Sequence, residues 1–142
     1  VSAAPGPLAG DELPARTLHV TRADLVRYAE VSGDHNPVHL EDDAARALGL
    51  PGVVAHGMLT AALAIGAVAE WAGGSDRVLE TDLRFAAPVQ VPAEGSAALE
   101  LSGRVRSVED GRAVVALTVT SEGTKVFGKA QVTVAVAPRD DA

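Results

Sequence analysis

The chain contains no cysteine. That excludes disulfides, thiolate metal sites and a cysteine nucleophile, and it leaves the redox compartment open. Aromatic residues make up only 3% of the 142 positions, and acidic residues outnumber basic ones 19 to 12 for a net charge of −7. That inventory builds neither a phosphate-tracking basic surface nor a stacking platform for bases, so nucleic acid is not expected as a partner. The same acidity gives no long-range attraction to an acidic carrier protein, although a local arginine cluster would still dock one. Long apolar runs are missing too. The longest uncharged stretch near the middle, Val53 to Ala69, holds His56 and is short for a bilayer. With no basic, apolar leader ahead of the first amphipathic segment, the expectation is a cytoplasmic protein with no membrane partner.

What is present is the material of a single domain: 47% hydrophobic and 22% charged residues on a chain long enough to bury a real core. Residues 11–137 are expected to form that domain, with flexible tails at 1–10 and 138–142. Thr21 followed by Asp24 reads as a capping box, and Leu25, Tyr28 and Ala29 follow at helical spacing. Glu41, Asp42 and Asp43 open a second helix of about two turns that stops near Gly49. A third, from Gly57 or Met58 through Trp71, has no charged side chain before Glu70 and is expected to be buried nearly all round over roughly 20 Å.

Beyond Arg77 the period changes from helical to two. Ala97, Leu99, Leu101, Gly103 and Val105 alternate with Ala98, Glu100, Ser102, Arg104 and Arg106, and Asp110-Gly111 supplies a hairpin turn. A strand over about 113–120, a turn at Glu122-Gly123 and a last strand over about 124–136 complete an antiparallel meander. Arg77–Phe85 and a first strand near Thr17–Val20 bring the expected count to about five. These parts suit an α+β domain in which a curved antiparallel sheet wraps a long central helix.

The chemistry concentrates in Ser32-Gly33-Asp34-His35-Asn36-Pro37-Val38-His39. A turn needs Gly, Asn or Pro for backbone reasons but has no use for a flanking acid and imidazole, so the combination points to proton transfer. Asp34 and His39 are the candidate acid–base pair. The plainer alternative has Asp34 capping the turn and His39 packing on the next helix, and spacing alone does not separate the two. Asn36 and Pro37 read as supports that fix the loop, His35 as exposed and Tyr28 as packing against the loop. Gly57 stands where a helix begins and the first N–H groups have no helical partner, so a ligand oxygen can approach closely. His56 is expected to support the loop or line the cavity. Arg84, at the end of an expected strand, is a candidate to meet a carrier phosphate or a partner subunit, with a surface or structural ion pair as the plainer alternative. Asp34, His35, His39 and His56 match no familiar metal-ligand spacing, so no metal is expected.

Taken together, Tyr28 and Ser32-Gly-Asp34-His-Asn36-Pro-Val-His39, then Ala55-His56-Gly57-Met58, then Arg84-Phe85 with Pro88-Val89 resemble the MaoC-like, (R)-specific enoyl-thioester hydratase/dehydratase family. Among its branches the chain is most similar to the B-type subunit of actinobacterial (3R)-hydroxyacyl-carrier dehydratases. The resemblance runs from about Leu13 to Val136. It implies a single hotdog fold and a dimer, with a second copy or a different hotdog subunit, whose sheets join edge to edge. It implies that Asp34 and His39 are catalytic and that the Gly57 N–H is the oxyanion donor. The implied reaction interconverts (3R)-3-hydroxyacyl and trans-2-enoyl thioesters. No cofactor is implied beyond the CoA or carrier-protein phosphopantetheine of the substrate. A hotdog thioesterase is disfavoured because the central helix carries its only acid, Glu70, near its far end. A carrier-binding, catalytically silent subunit is disfavoured because Asp34 and His39 are both present. Recruitment of the fold to another biosynthetic reaction stays open.

Overall fold

The computed structural model describes residues 6–137. In chain order it contains β1 (Glu12–Val20), α1 (Arg22–Ser32), α2 (Asp42–Ala47), α3 (Gly57–Ala72), β2 (Val78–Phe85), β3 (Ala97–Glu109), β4 (Arg112–Ser121), β5 (Thr124–Lys125) and β6 (Phe127–Ala135). The strands form one antiparallel sheet in the order β1-β3-β4-β6-β2, with β5 pairing β4. Of the expected tails, residues 1–5 and 138–142 lie outside the described residues. Gly10 is tied to the sheet, its N–H donating to the Val105 carbonyl at 2.8 Å.

The alternation in the sequence becomes the inner face of the sheet. Val105, Val115 and Val132 sit opposite one another on three neighbouring strands, each fully buried. They belong to one core with Ala61, Ala64, Ala67 and Val68 of α3. Small residues on the helix let helix and sheet approach closely, while β-branched side chains suit the pleated strands. Among the described residues no helix is long and apolar enough to cross a membrane.

Three local expectations are corrected. The first strand begins at Glu12, not near Thr17, and its register with β3 shifts between Leu13 and Arg16. Pro14 lies inside that shift and has no N–H to donate, which hides the strand from a reading based on alternation. The last strand is broken at Val126, whose N–H donates to the Val119 carbonyl at 2.9 Å, leaving β5 and β6 on either side. Finally, α3 is not buried all round: Met58, Ala62, Gly66 and Glu70, spaced four apart, stay exposed. The sheet of one chain covers only one side of the helix.

The first two helices set the frame of the loop that follows each. Thr21 Oγ1 accepts from the Asp24 N–H, and the Asp24 side chain accepts from the Thr21 N–H, giving the expected capping box. Gly33, at φ 78°, ends α1 in the left-handed region and donates to the Ala29 carbonyl. Arg22 then ties three segments together. Its Nε donates to the Val91 carbonyl and its Nη2 to Asp42 Oδ1, both at 2.8 Å, and the Val53 N–H donates to the same Asp42 oxygen at 3.0 Å.

The Val53 N–H and then the Arg22 guanidinium hold the Asp42 carboxyl below its ordinary value of 3.8. A depressed folded-state value means that the carboxylate stabilises the fold above that pH, and the contribution is lost as pH falls through the lower folded value. Asp42→Asn is therefore expected to melt earlier than the native protein at pH 7 and to converge on it below pH 3.8, as circular-dichroism melts across a pH series would show. Leu25 is fully buried and anchors α1 to the core. Leu25→Ala is expected to cost about 2–5 kcal/mol in urea unfolding.

Candidate active site

Asp34 takes up two duties at once. Its Oδ1 accepts the Asn36 N–H at 3.2 Å, so the carboxylate caps the turn as an Asx residue does. Its Oδ2 lies 3.8 Å from His39 Nε2. That gap is too long for a direct hydrogen bond and suits a single water or substrate oxygen held between the two groups. The Asp34 side chain is about half exposed and that of His39 mostly buried, at 49% and 14%. The structural and the chemical readings of this pair are therefore compatible.

Two neighbouring residues shape the turn. Asn36 Oδ1 accepts the Val38 N–H at 3.2 Å, and Pro37 opens a short 3-10 turn, Pro37–His39, where its missing N–H costs nothing. Val38 is buried with Ala45 and Val54 in a small apolar cluster under this turn. His35 is exposed.

The segment from Val53 to His56 acts as a short stave beside the loop. The Ala55 N–H donates to the Val89 carbonyl, the Val91 N–H to the Val53 carbonyl, and the Val54 N–H to the Val38 carbonyl. So fixed, the Val54 carbonyl receives His39 Nδ1 at 2.8 Å. A carbonyl only accepts, so Nδ1 carries the proton and Nε2 is the nitrogen left to exchange protons toward Asp34. No residue type signals this partner, because a main-chain oxygen leaves no trace in residue identity.

His56, the residue before α3, is 1% exposed. Its Nε2 donates to the Asp34 carbonyl at 3.1 Å, and its ring stacks on His39 with centroids 4.0 Å apart and planes 26° apart. Tyr28 meets it edge-on at 4.8 Å. Burial pushes the His56 imidazole below its ordinary value of 6.5, against the raising effect of its bond to Asp34. Two unit charges 4 Å apart repel by about 4 kcal/mol at an effective dielectric of 20, which further favours one neutral ring in the stack.

Asp34, His39 and His56 offer ligand atoms within 4.8 Å of one another, the geometry of a candidate cation site. His39 Nδ1 and His56 Nε2 are committed to carbonyls, which leaves Asp34 Oδ2, His39 Nε2 and His56 Nδ1 as the atoms with free lone pairs, the last of them buried without a partner among the described residues. Gly57 opens α3 directly after His56, and neither its N–H nor that of Met58 is engaged among the described residues. A Cβ at Gly57 would stand 3.0 Å from the Phe85 ring, so the glycine allows this close approach. Arg84 neighbours Phe85 on β2, opposite Lys129, and is exposed, with no bond to the Asp34–His39 pair. Glu70 is at the other end of α3, its carboxylate held by Arg16 at 2.8 Å.

A sheet of this order wrapped on one helix, with an acid–base loop over the helix start, defines a hotdog-fold domain. The MaoC-like domain family matches residues 7–125, and the chain belongs to that family. It is 46% identical over 80 residues to the 3-hydroxyacyl-thioester dehydratase X of Mycobacterium tuberculosis, a stretch covering 56% of this chain and 28% of that protein. A solved MaoC-like dehydratase is 39% identical, with a TM-score of 0.86 over 89% of this chain and 40% of that one. The R-hydratase PhaJ1 from Pseudomonas aeruginosa, unliganded, is 27% identical, with a TM-score of 0.76 over 94% of this chain and 88% of that one. The chain thus spans well under two thirds of the first two relatives.

Asn36 caps the turn that sets the spacing of the pair. Asn36→Ala is expected to cost about 1 kcal/mol in urea unfolding, as loss of a helix N-cap does.

Proposed function

We propose that this domain interconverts (3R)-3-hydroxyacyl and trans-2-enoyl thioesters, with Asp34 and His39 moving protons and the Gly57 N–H holding the thioester oxygen. The observation that carries this reading is His39 Nε2 facing Asp34 Oδ2 across 3.8 Å, beside unengaged N–H groups at the start of α3. The names of the relatives, a thioester dehydratase and an R-hydratase, point the same way.

The pair works with one shared proton. In hydration, the Asp34 carboxylate takes a proton from water as its oxygen bonds to C3, and the His39 imidazolium gives its Nε2 proton to C2. Asp34 is left protonated and His39 neutral, and return of the proton across the gap resets the site. Dehydration runs the same steps backwards: His39 takes the C2 proton and Asp34 protonates the departing hydroxyl. The thioester oxygen gains charge in the enolate, where preorganised N–H donors are worth a few kcal/mol. These steps need no metal or redox cofactor, and the CoA or phosphopantetheine arm belongs to the substrate.

An apolar cavity of about 350 Å³ between α1 and α3, lined by Val20, Tyr28, Val31, Leu59 and Leu63, is proposed to take the acyl chain. Tyr28 is the wall it shares with His56. A larger hollow of about 710 Å³, lined by Trp71 and Arg77, is set at the other end of α3 and includes neither Asp34 nor His39. The partner is proposed to be a second hotdog subunit, a copy or a relative, added at β2. Among the described residues that strand pairs only with β6, and it carries exposed Leu79 and Phe85.

The test is hydration of a short trans-2-enoyl-CoA, read as loss of enoyl-thioester absorbance. Native protein is expected to turn over, and Asp34→Asn and His39→Ala, both folded, to lose about 10²- to 10⁴-fold in kcat. Full activity in either variant would remove that residue from the proposed pair. Sedimentation of the native protein is expected to give a dimer, and an inert monomer would point to a missing subunit.

A further inference from the structure

His56 is a buried imidazole that the proposed proton transfers do not use, and its contacts reach both residues that they do use. One nitrogen holds the main chain of Asp34, and one ring face lies on His39. We propose that His56 is a positioning residue that fixes Asp34 and His39 relative to each other, its Nε2–H donating to the Asp34 carbonyl and its ring serving as the bed for His39. The inference rests on the proton-transfer roles given above to Asp34 and His39.

The argument is geometric. Asp34 lies in a loop segment between α1 and the Pro37–His39 turn, and its side chain is half exposed. Such a carboxylate keeps a fixed distance to His39 only if its backbone is held. The Asp34 N–H is held by Ser32 Oγ at 3.1 Å, and its carbonyl is held by His56. His39 has its Nδ1 fixed by Val54, but one hydrogen bond leaves a ring free to pivot about it. The His56 face removes that freedom, and Tyr28 in turn packs edge-on with His56. His56 in turn cannot move, because it immediately precedes α3 and is almost wholly buried.

The direction of the bond fixes the tautomer. Nε2 must carry the proton that it donates to the carbonyl, which leaves Nδ1 as a buried lone pair with no partner among the described residues. A second proton on Nδ1 would have no acceptor among the described residues and would put a positive charge beside His39. The charged or titratable groups around His56 are Asp34, His39 and Tyr28. The ring therefore supplies shape and one donor, not a third exchangeable proton.

Two substitutions separate its halves. His56→Phe keeps a ring for His39 and removes the donor; His56→Gln keeps a donor near the Nε2 position and removes the ring. Both are checked for folding by circular dichroism. In enoyl-CoA hydration each is expected to lower kcat by about tenfold or more with KM within about twofold, since neither half touches substrate. Placed on Asp34→Asn, His56→Phe is expected to cost less than about twofold further, because it acts through Asp34. Unchanged kcat, or a full additional loss on that background, would overturn the inference and leave His56 a core residue.

Imidazole ¹⁵N NMR decides the same point without activity. Native His56 is expected to be the Nε2–H tautomer and to stay neutral to a lower pH than an ordinary imidazole. His39 is expected to be Nδ1–H throughout, held so by Val54, and in His56→Gln its ring signals are expected to shift and broaden as the ring gains freedom to pivot. A His56 that titrates as a free imidazole, or a His39 unaffected in His56→Gln, refutes positioning. If native protein is inert as a dimer on short and long enoyl chains, the hydratase reading fails by that result alone, and the NMR outcome still settles whether His56 holds the pair together.

Discussion

Between Gly57 and Ala69 the chain carries no charged side chain, so α3 is stable only with most of its surface removed from water. The curved sheet supplies that cover, and its inner face of Val105, Val115, Val132 and their neighbours is the complement of the alanines on the helix. Burying the helix along one side leaves its start as the place where main-chain donors still face outward. The loop from Gly33 to Leu40 and the stave from Val53 to His56 meet there, each tied to the core by backbone bonds rather than by long side chains. The candidate site is thus a by-product of how the helix has to be capped as much as a feature added to it.

The elements most legible in the sequence were those whose signals are local. Thr21 with Asp24 marked the start of α1 and Gly33 its end, because capping and left-handed backbone are decided within a few residues. The meander followed from strict alternation and from Asp110-Gly111 and Glu122-Gly123, both of which turn with positive φ. What stayed hidden was set by partners distant in the chain. The start of β1 depends on pairing with β3 around Pro14, and the break at Val126 depends on the Val119 carbonyl. The exposed stripe of α3 depends on where the sheet stops, which composition does not record.

The same division applies to the candidate site. Asp34, Asn36, Pro37, His39 and Gly57 were marked by residue type and spacing, and they fall at the positions those types suggested. Their chemical orientation was not marked, because two main-chain carbonyls decide it. The Val54 carbonyl accepts a hydrogen bond from His39 Nδ1–H, and the Asp34 carbonyl accepts one from His56 Nε2–H, so two stacked imidazoles become inequivalent. One presents a nitrogen to the carboxylate and the other presents only a face. No side-chain substitution pattern would reveal that asymmetry, since the atoms that impose it are common to every residue.

Proton transfer at a half-exposed carboxylate works against bulk water, which competes for every hydrogen bond and screens every charge. Asp34 is 49% exposed in the single chain, and Met58 and Phe85 beside the start of α3 are 62% and 51% exposed. Apolar side chains of that size bordering unengaged N–H groups make a surface whose covering would be favourable in itself and would dry the site at the same time. On the proposed reading, a subunit added at the β2 edge does both, since Phe85 belongs to that strand and its ring touches Gly57. Association and catalysis would then share one driving force: the apolar area that joins the subunits is the area that lowers the dielectric around the Asp34–His39 pair. The half-exposed carboxylate of the lone chain is, on this argument, the mark of a site whose last wall comes from outside it.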